Sequence, residues 1–148
     1  MMKRLAPIIF LAASASPAFA DCWEEAGARY GIEPELLQAI AIVESGLDAE
    51  AINKNRDGTQ DVGLMQINSS HFPTLKKFNI TRQALIKDPC QNVMTGAWIL
   101  AGNFRQLGYS WQAVGAYNVG NGKGVLRNSL RTKYVKKVVR HYLKLKRK

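Results

Sequence analysis

Acidic residues are absent from the last 26 positions, Lys123 to Lys148, which hold eleven Lys and Arg. Cysteine and histidine are almost absent too, with two of each in 148 residues. Cys22 and Cys90 have no Cys or His neighbour at ligand spacing, so a zinc site or any resident metal is not expected. His71 and His141 stand alone, without a Ser, Cys or carboxylate pattern around them, which argues against a histidine-based triad. No apolar stretch is long enough to span a bilayer; the longest, Leu5 to Ala13, falls well short. Internal repeats and low-complexity linkers are lacking as well.

What is present begins with an export signal. Lys3 and Arg4 precede the short apolar stretch, and Ala18-Phe19-Ala20 supplies a small-x-small cleavage site. The expected organisation is a signal peptide over 1–20 and one domain over 21–148. Both cysteines lie in the exported part, where an oxidising compartment favours a Cys22–Cys90 bond over two free thiols. In the chain-entropy account, closing so long a loop stabilises the fold by roughly 4 kcal/mol. The formal net charge is +10, or +8 without Lys3 and Arg4. "RTKYVKKVVRHYLKLKRK" carries Tyr134, Val138, Tyr142 and Leu145 at helical spacing and reads as a basic amphipathic helix. Such a face is either simply solvated or drawn to an anionic polymer or surface. Nucleic acid is not the expected partner, because the chain is exported and has no nucleic-acid motif.

The punctuation predicts a mostly helical chain. One helix over 23–30 stops at Gly31, and a second runs from Pro34 to Gly46. Residues 48–62 are polar and turn-rich, with Asp57-Gly58 as a turn signal for a small hairpin. Ser69 or Ser70 caps a short helix ending near Pro73, and Thr81 caps another reaching Lys87. Asp88 and Pro89 open the clearest helix, striped by Val93, Ala97, Leu100, Phe104 and Leu107 and ended by Gly108. Ser110 caps the next, which breaks at Gly120. Trp23, Trp98 and Trp111 read as core and helix-contact residues.

One residue departs from this economy. Leu37, Ile40 and Glu44 fall at i, i+3 and i+7, so the helix turns a carboxylate toward its own apolar face. Burial there disfavours ionisation and makes Glu44 a tuned acid or a compensated misfit. Seventeen residues on, Asp61 sits in a polar neighbourhood. One acid in a dry site and one in a wet site is the division of labour used in glycoside cleavage.

Three spaced motifs, "ES" at 44–45, "GLMQIN" at 63–68 and "AYNVG" at 116–120, resemble those of lytic transglycosylases of the soluble-lytic-transglycosylase type. "NRDGTQDVGLMQINSS" is also similar to the stretch of animal-type lysozymes that bears their second catalytic acid. "DCW", "DPC" and "AVGAYN" are shared with the small stand-alone transglycosylases encoded with type III secretion, conjugation or type IV pilus systems. The likeness covers nearly all of 21–142.

The resemblance implies a mostly α, lysozyme-like fold with a small hairpin or polar loop after the catalytic helix. It implies cleavage of the β-1,4 bond between N-acetylmuramic acid and N-acetylglucosamine, with 1,6-anhydromuramoyl ends and no cofactor. Glu44 would be the general acid/base. Met65 and Gln66 would line the sugar groove, Tyr117 would face Glu44 and hold it with the muramoyl ring, and Ser45 and Asn118 would hold the backbone and groove wall. Asn53 stands where the larger enzymes often have Ser, and those enzymes lack a carboxylate at the place of Asp61, which gives the site a hybrid look. The implied setting is the periplasm of a Gram-negative bacterium, where the enzyme opens peptidoglycan for a secretion apparatus, with a component of that apparatus as a possible partner. The rivals are a lysozyme-like hydrolase using Glu44 and Asp61, a non-catalytic wall-binding module, and a cationic membrane-active protein.

Overall fold

The computed structural model describes residues 19–148. The signal peptide expected over 1–20 falls almost wholly outside them. Among the described residues are seven α-helices and one three-stranded antiparallel sheet. Helix α1 (Ala20–Tyr30) ends where Gly31 turns left-handed at φ 65°. Helix α2 (Pro34–Ser45) starts on a proline, which suits a first turn, and stops at Gly46, φ 63°, whose N–H donates to the Ile42 carbonyl. Helix α5 (Pro89–Leu107) is capped by Asp88, whose carboxylate accepts from the Gln91 N–H at 3.1 Å. Thr81 caps α4 (Arg82–Lys87), and Ser110 caps α6 (Trp111–Val119), each through its hydroxyl.

Between α2 and α4 the chain forms strands β1 (Ile52–Lys54), β2 (Gln60–Val62) and β3 (Ile67–Asn68) in that spatial order. Asp61 on the central strand pairs with Asn53 on one side and Asn68 on the other. The expected hairpin is therefore a sheet, since "GLMQIN" returns a third strand of two residues. The expectation at Pro73 is reversed as well. Ser69–His71 form a single 3-10 turn, and Pro73 lies in the first turn of α3 (Phe72–Lys76), where its missing N–H costs nothing.

Leu37, Ile40, Val93, Ala97 and Leu100, all 0 % exposed, fill the space where α2 and α5 meet their neighbours. Each of the larger side chains contributes about 1.5–3 kcal/mol by leaving water. The disulfide Cys22–Cys90 ties α1 to the first turn of α5, against which it packs. Helix α7 (Val125–Lys146) begins before the basic stretch and lies along α2. Tyr134 and Val138 are buried, with Tyr142 and Leu145 partly buried against the core, as the helical stripe requires.

Candidate active site

Glu44 closes the last turn of α2 at the edge of an open cleft of about 460 Å³. The opposite wall is the sheet, through Asn55, Asp61, Gln66 and Asn68, and the third side is α6, through Tyr117 and Asn118. The apolar face expected around Glu44 is there, with Leu37 and Ile40 fully buried beneath it. Burial pushes the Glu44 carboxyl up to about 7, against hydrogen bonds from Tyr134 and Asn118 that pull it down. The negative charge of Asp61 adds a smaller upward push.

Both hydrogen bonds fall on one oxygen. The Tyr134 hydroxyl donates to Glu44 Oε1 at 2.8 Å, and the Asn118 amide donates to it at 3.4 Å. Oε2 accepts no hydrogen bond from the described residues and is the oxygen free to carry a proton toward a ligand. Tyr134 is 6 % exposed and its hydroxyl titrates far above its ordinary value, through burial and the nearby Glu44 charge, so it remains a donor.

Asp61 is held in a different manner. Its two oxygens accept from the side-chain amides of Asn55 (3.0 Å) and Asn68 (2.8 Å), which fix the carboxylate on the sheet side of the cleft. Gln66 adopts a left-handed backbone, φ 51°, and its side chain is locked three ways. It accepts from Asn53 at 2.7 Å and donates to the carbonyls of Ala51 and Gly63. Asn53 thus braces Gln66 from the neighbouring strand.

Other expected site residues are placed differently. Met65 does not line the cleft: it is 0 % exposed and packs on Gly96, where a Cβ would come within 2.7 Å of it. Tyr117 lines the cleft, yet its hydroxyl donates to the Met65 carbonyl at 2.7 Å rather than to Glu44. Ser45 donates to the Leu64 carbonyl at 2.7 Å, so α2 and α6 both grip the loop between β2 and β3. Asn118, expected to hold the backbone and the groove wall, lines the cleft and also reaches Glu44.

A further residue holds this loop from behind. Asn92, wholly buried on α5, accepts from the Met65 N–H at 2.8 Å and donates to the carbonyls of Val62 and Leu85, both at 2.9 Å. Gly63 passes so close to the Asn92 amide that a Cβ would overlap it, and its φ of 76° independently demands glycine.

Sequence reasoning missed Tyr134, Asn92 and the cleft-lining His71. Tyr134 carried a signal, the buried stripe of a helix, but nothing in that stripe tells what its hydroxyl meets. Burial lowers the His71 pKa, so the ring favours its neutral form. Among the described residues no cluster of His, Cys, Asp and Glu is arranged to hold a metal.

Comparison with known proteins agrees with the geometry. Residues 21–138 match the family described as Transglycosylase SLT domain. The chain is 48% identical over 139 residues to invasion protein IagB of Salmonella typhimurium, covering 94% of this chain and 86% of that protein. It is 40% identical to protein IpgF of Shigella flexneri, over 85% of this chain and 82% of the relative. It is 43% identical to X polypeptide of Escherichia coli K12, over 85% and 75%. Among solved structures, an inactive mutant of lytic transglycosylase Slt from Pseudomonas aeruginosa superposes with a TM-score of 0.65 at 22% identity. That match covers 84% of this chain and 23% of the larger one, a likeness of fold. With the motifs, the lysozyme-like fold and the cleft in agreement, this chain belongs to the SLT transglycosylase family and is a lytic transglycosylase of peptidoglycan.

Proposed function

We propose that the enzyme cleaves the β-1,4 bond between N-acetylmuramic acid and N-acetylglucosamine without water, leaving a 1,6-anhydromuramoyl end. The observation that carries this reading is the single dry carboxyl, Glu44, with a pKa near 7 and one oxygen free toward the cleft. At neutral pH roughly half the molecules hold it protonated, which suits a general acid that must next act as a base. Glu44 gives its proton to the glycosidic oxygen as the C1–O bond breaks. Positive charge at C1 is then shared by the substrate's 2-acetamido group and steadied by the Asp61 carboxylate across the cleft. Glu44 takes the proton of the C6 hydroxyl as O6 bonds to C1, which restores the acid and consumes no water. Asn118 faces the sugar with its side-chain amide, and Gln66, whose two N–H groups are spent on the Ala51 and Gly63 carbonyls, keeps only a lone pair on its Oε1 for it, while Tyr117, Ser45 and the buried Met65 hold the loop that carries Gln66.

A hydrolytic, lysozyme-like course is the second reading, favoured by Asp61 fixed between two amides on the opposite wall. Mass analysis of fragments released from purified murein separates them, because anhydro ends are lighter by one water. Mainly hydrated ends from the unaltered enzyme would replace the first reading with the second. No cleavage at all would leave a wall-binding module.

The setting we infer is the periplasm of a Gram-negative bacterium, after export by residues 1–20. The similarity to a protein named for invasion supports local opening of the wall for a secretion apparatus, and the Cys22–Cys90 bond suits an oxidising compartment.

A further inference from the structure

Charge is split along this chain. Residues 21–122 hold eight basic and eleven acidic residues, a formal −3, whereas residues 123–148 hold eleven basic and no acidic residues. Eight of those eleven lie on α7, whose inner face is spent on Tyr134 and Val138. Val125, Lys133, Lys136, Arg140 and Leu143 recur at steps that keep them on one stripe of the helix, opposite that inner face, and all five are exposed. Leu126, Lys137 and Lys144, also exposed, flank it.

The apolar members distinguish this stripe from a merely solvated one. Val125 is 88% exposed, Leu126 73% and Leu143 47%. They lie toward the two ends of the helix, and Val125 and Leu143 are about 27 Å apart at 1.5 Å per residue. A polyanionic glycan would satisfy the lysines and leave these side chains in water. A bilayer interface satisfies both, taking apolar side chains at the acyl boundary and cations at the phosphates. Among the described residues no helix is long and apolar enough to cross a membrane, so the association is peripheral.

We propose that the outer stripe of α7 docks the enzyme on an anionic lipid surface. The negative remainder of the chain is repelled by such a surface, so the charge split also sets the orientation, with α7 down. Glu44 receives its hydrogen bond from the inner side of the same helix, which puts the cleft roughly one helix diameter, about 10 Å, from the lipid. The docked enzyme would then meet the wall from the membrane side.

The test is vesicle flotation at physiological salt, with protein purified as the cell exports it and its N-terminus read by mass spectrometry. Vesicles of phosphatidylcholine containing phosphatidylglycerol are compared with phosphatidylcholine alone. The protein is expected to float with the anionic vesicles and not with the neutral ones. Lys133→Glu/Lys136→Glu/Arg140→Glu is expected to weaken binding at least about 100-fold, from roughly fivefold per basic residue near the surface. Val125→Ser/Leu126→Ser is expected to weaken it about tenfold, and both variants should cleave short soluble murein fragments at the unaltered rate. Equal flotation with both vesicles, or none with either, would overturn the proposal. So would an unchanged serine double variant alongside loss of binding to sedimented murein in the charge-reversed one, because α7 would then be reading the wall polymer.

Discussion

A glutamate stands at each end of α2, and α7 meets each with a tyrosine. Tyr134 donates to Glu44 at the cleft end, and Tyr142 donates to Glu33 at the N-cap, where Lys146 also approaches to 3.5 Å. The outcomes are opposite. Glu33, 46% exposed, is held below the usual carboxylate range, first by the Tyr142 bond and then by Lys146. Glu44 rises to about 7 because burial outweighs the same kind of bond. The helix dipole works in the same two directions, favouring an anion at the first turn and opposing one at the last. A tyrosine donor lowers a carboxyl pKa in either place. Access to water decides whether the group ends as a surface anchor or as an acid.

The sharpest break of this comparison is to remove each acid in turn. Glu44→Gln is expected to lower murein cleavage by about a thousandfold or more, since the isostere cannot deliver a proton. Glu33→Gln should leave it within about twofold, both measured as soluble fragment release. Wild-type fragment release matched by Glu44→Gln would remove Glu44 from the chemistry.

The same pair separates in stability. Glu44 titrates higher in the folded chain than in the unfolded one, so its contribution is intact below about pH 4.5 and is lost as pH rises through 7. Glu44→Gln should therefore gain on the unaltered protein by up to about 3 kcal/mol at pH 8, and by much less at pH 4, in denaturant melts. Glu33 runs the other way: its folded pKa is lowered, so its stabilisation is present above the unfolded value and fades as pH falls through the folded one. Its exposure to solvent screens the effect.

Removing the tyrosines sharpens the contrast. The reaction needs Glu44 protonated, so cleavage should fall as pH rises through about 7. Tyr134→Phe removes a bond that lowers the Glu44 pKa, and the alkaline limb should move to higher pH, with cleavage reduced about tenfold. Tyr142→Phe should leave that limb in place and cost at most about 1 kcal/mol of stability. An alkaline limb unmoved by Tyr134→Phe would reduce Tyr134 to packing. Asp61→Asn should shift the limb least and downward, because the Asp61 charge acts on Glu44 more weakly than burial or either hydrogen bond.

Local chemistry was legible where one residue decides it. Thr81, Asp88 and Ser110 cap the helices they were expected to cap, Gly46 ends α2, and the acid on the apolar face of α2 is half-buried above Leu37 and Ile40. Less was legible where the outcome depends on a distant partner. Tyr134 lies 90 residues from Glu44, and periodicity records which side of a helix is covered, not what a covered hydroxyl finds. Met65 was expected in the groove, with Gln66, from the resemblance of "GLMQIN" alone, but the left-handed turn at Gln66 sends the two side chains to different places. Two residues are too few for β3 to show alternation. Trp111, expected in a helix contact, meets Tyr142 edge to face, with its ring centroid 5.7 Å away, yet remains 42% exposed.

Tyr134 has one more consequence, which concerns time rather than geometry. A polypeptide is made from its N-terminus. Glu44, the sheet loop and Asn118 are all delivered before the last helix arrives. Until then Glu44 lacks the hydroxyl that fixes it, and the side of α2 that α7 covers is bare. Chains ending short of Tyr134, whether stalled or clipped, hold every cleft-lining acid yet lack the group that aims the one at the dry end.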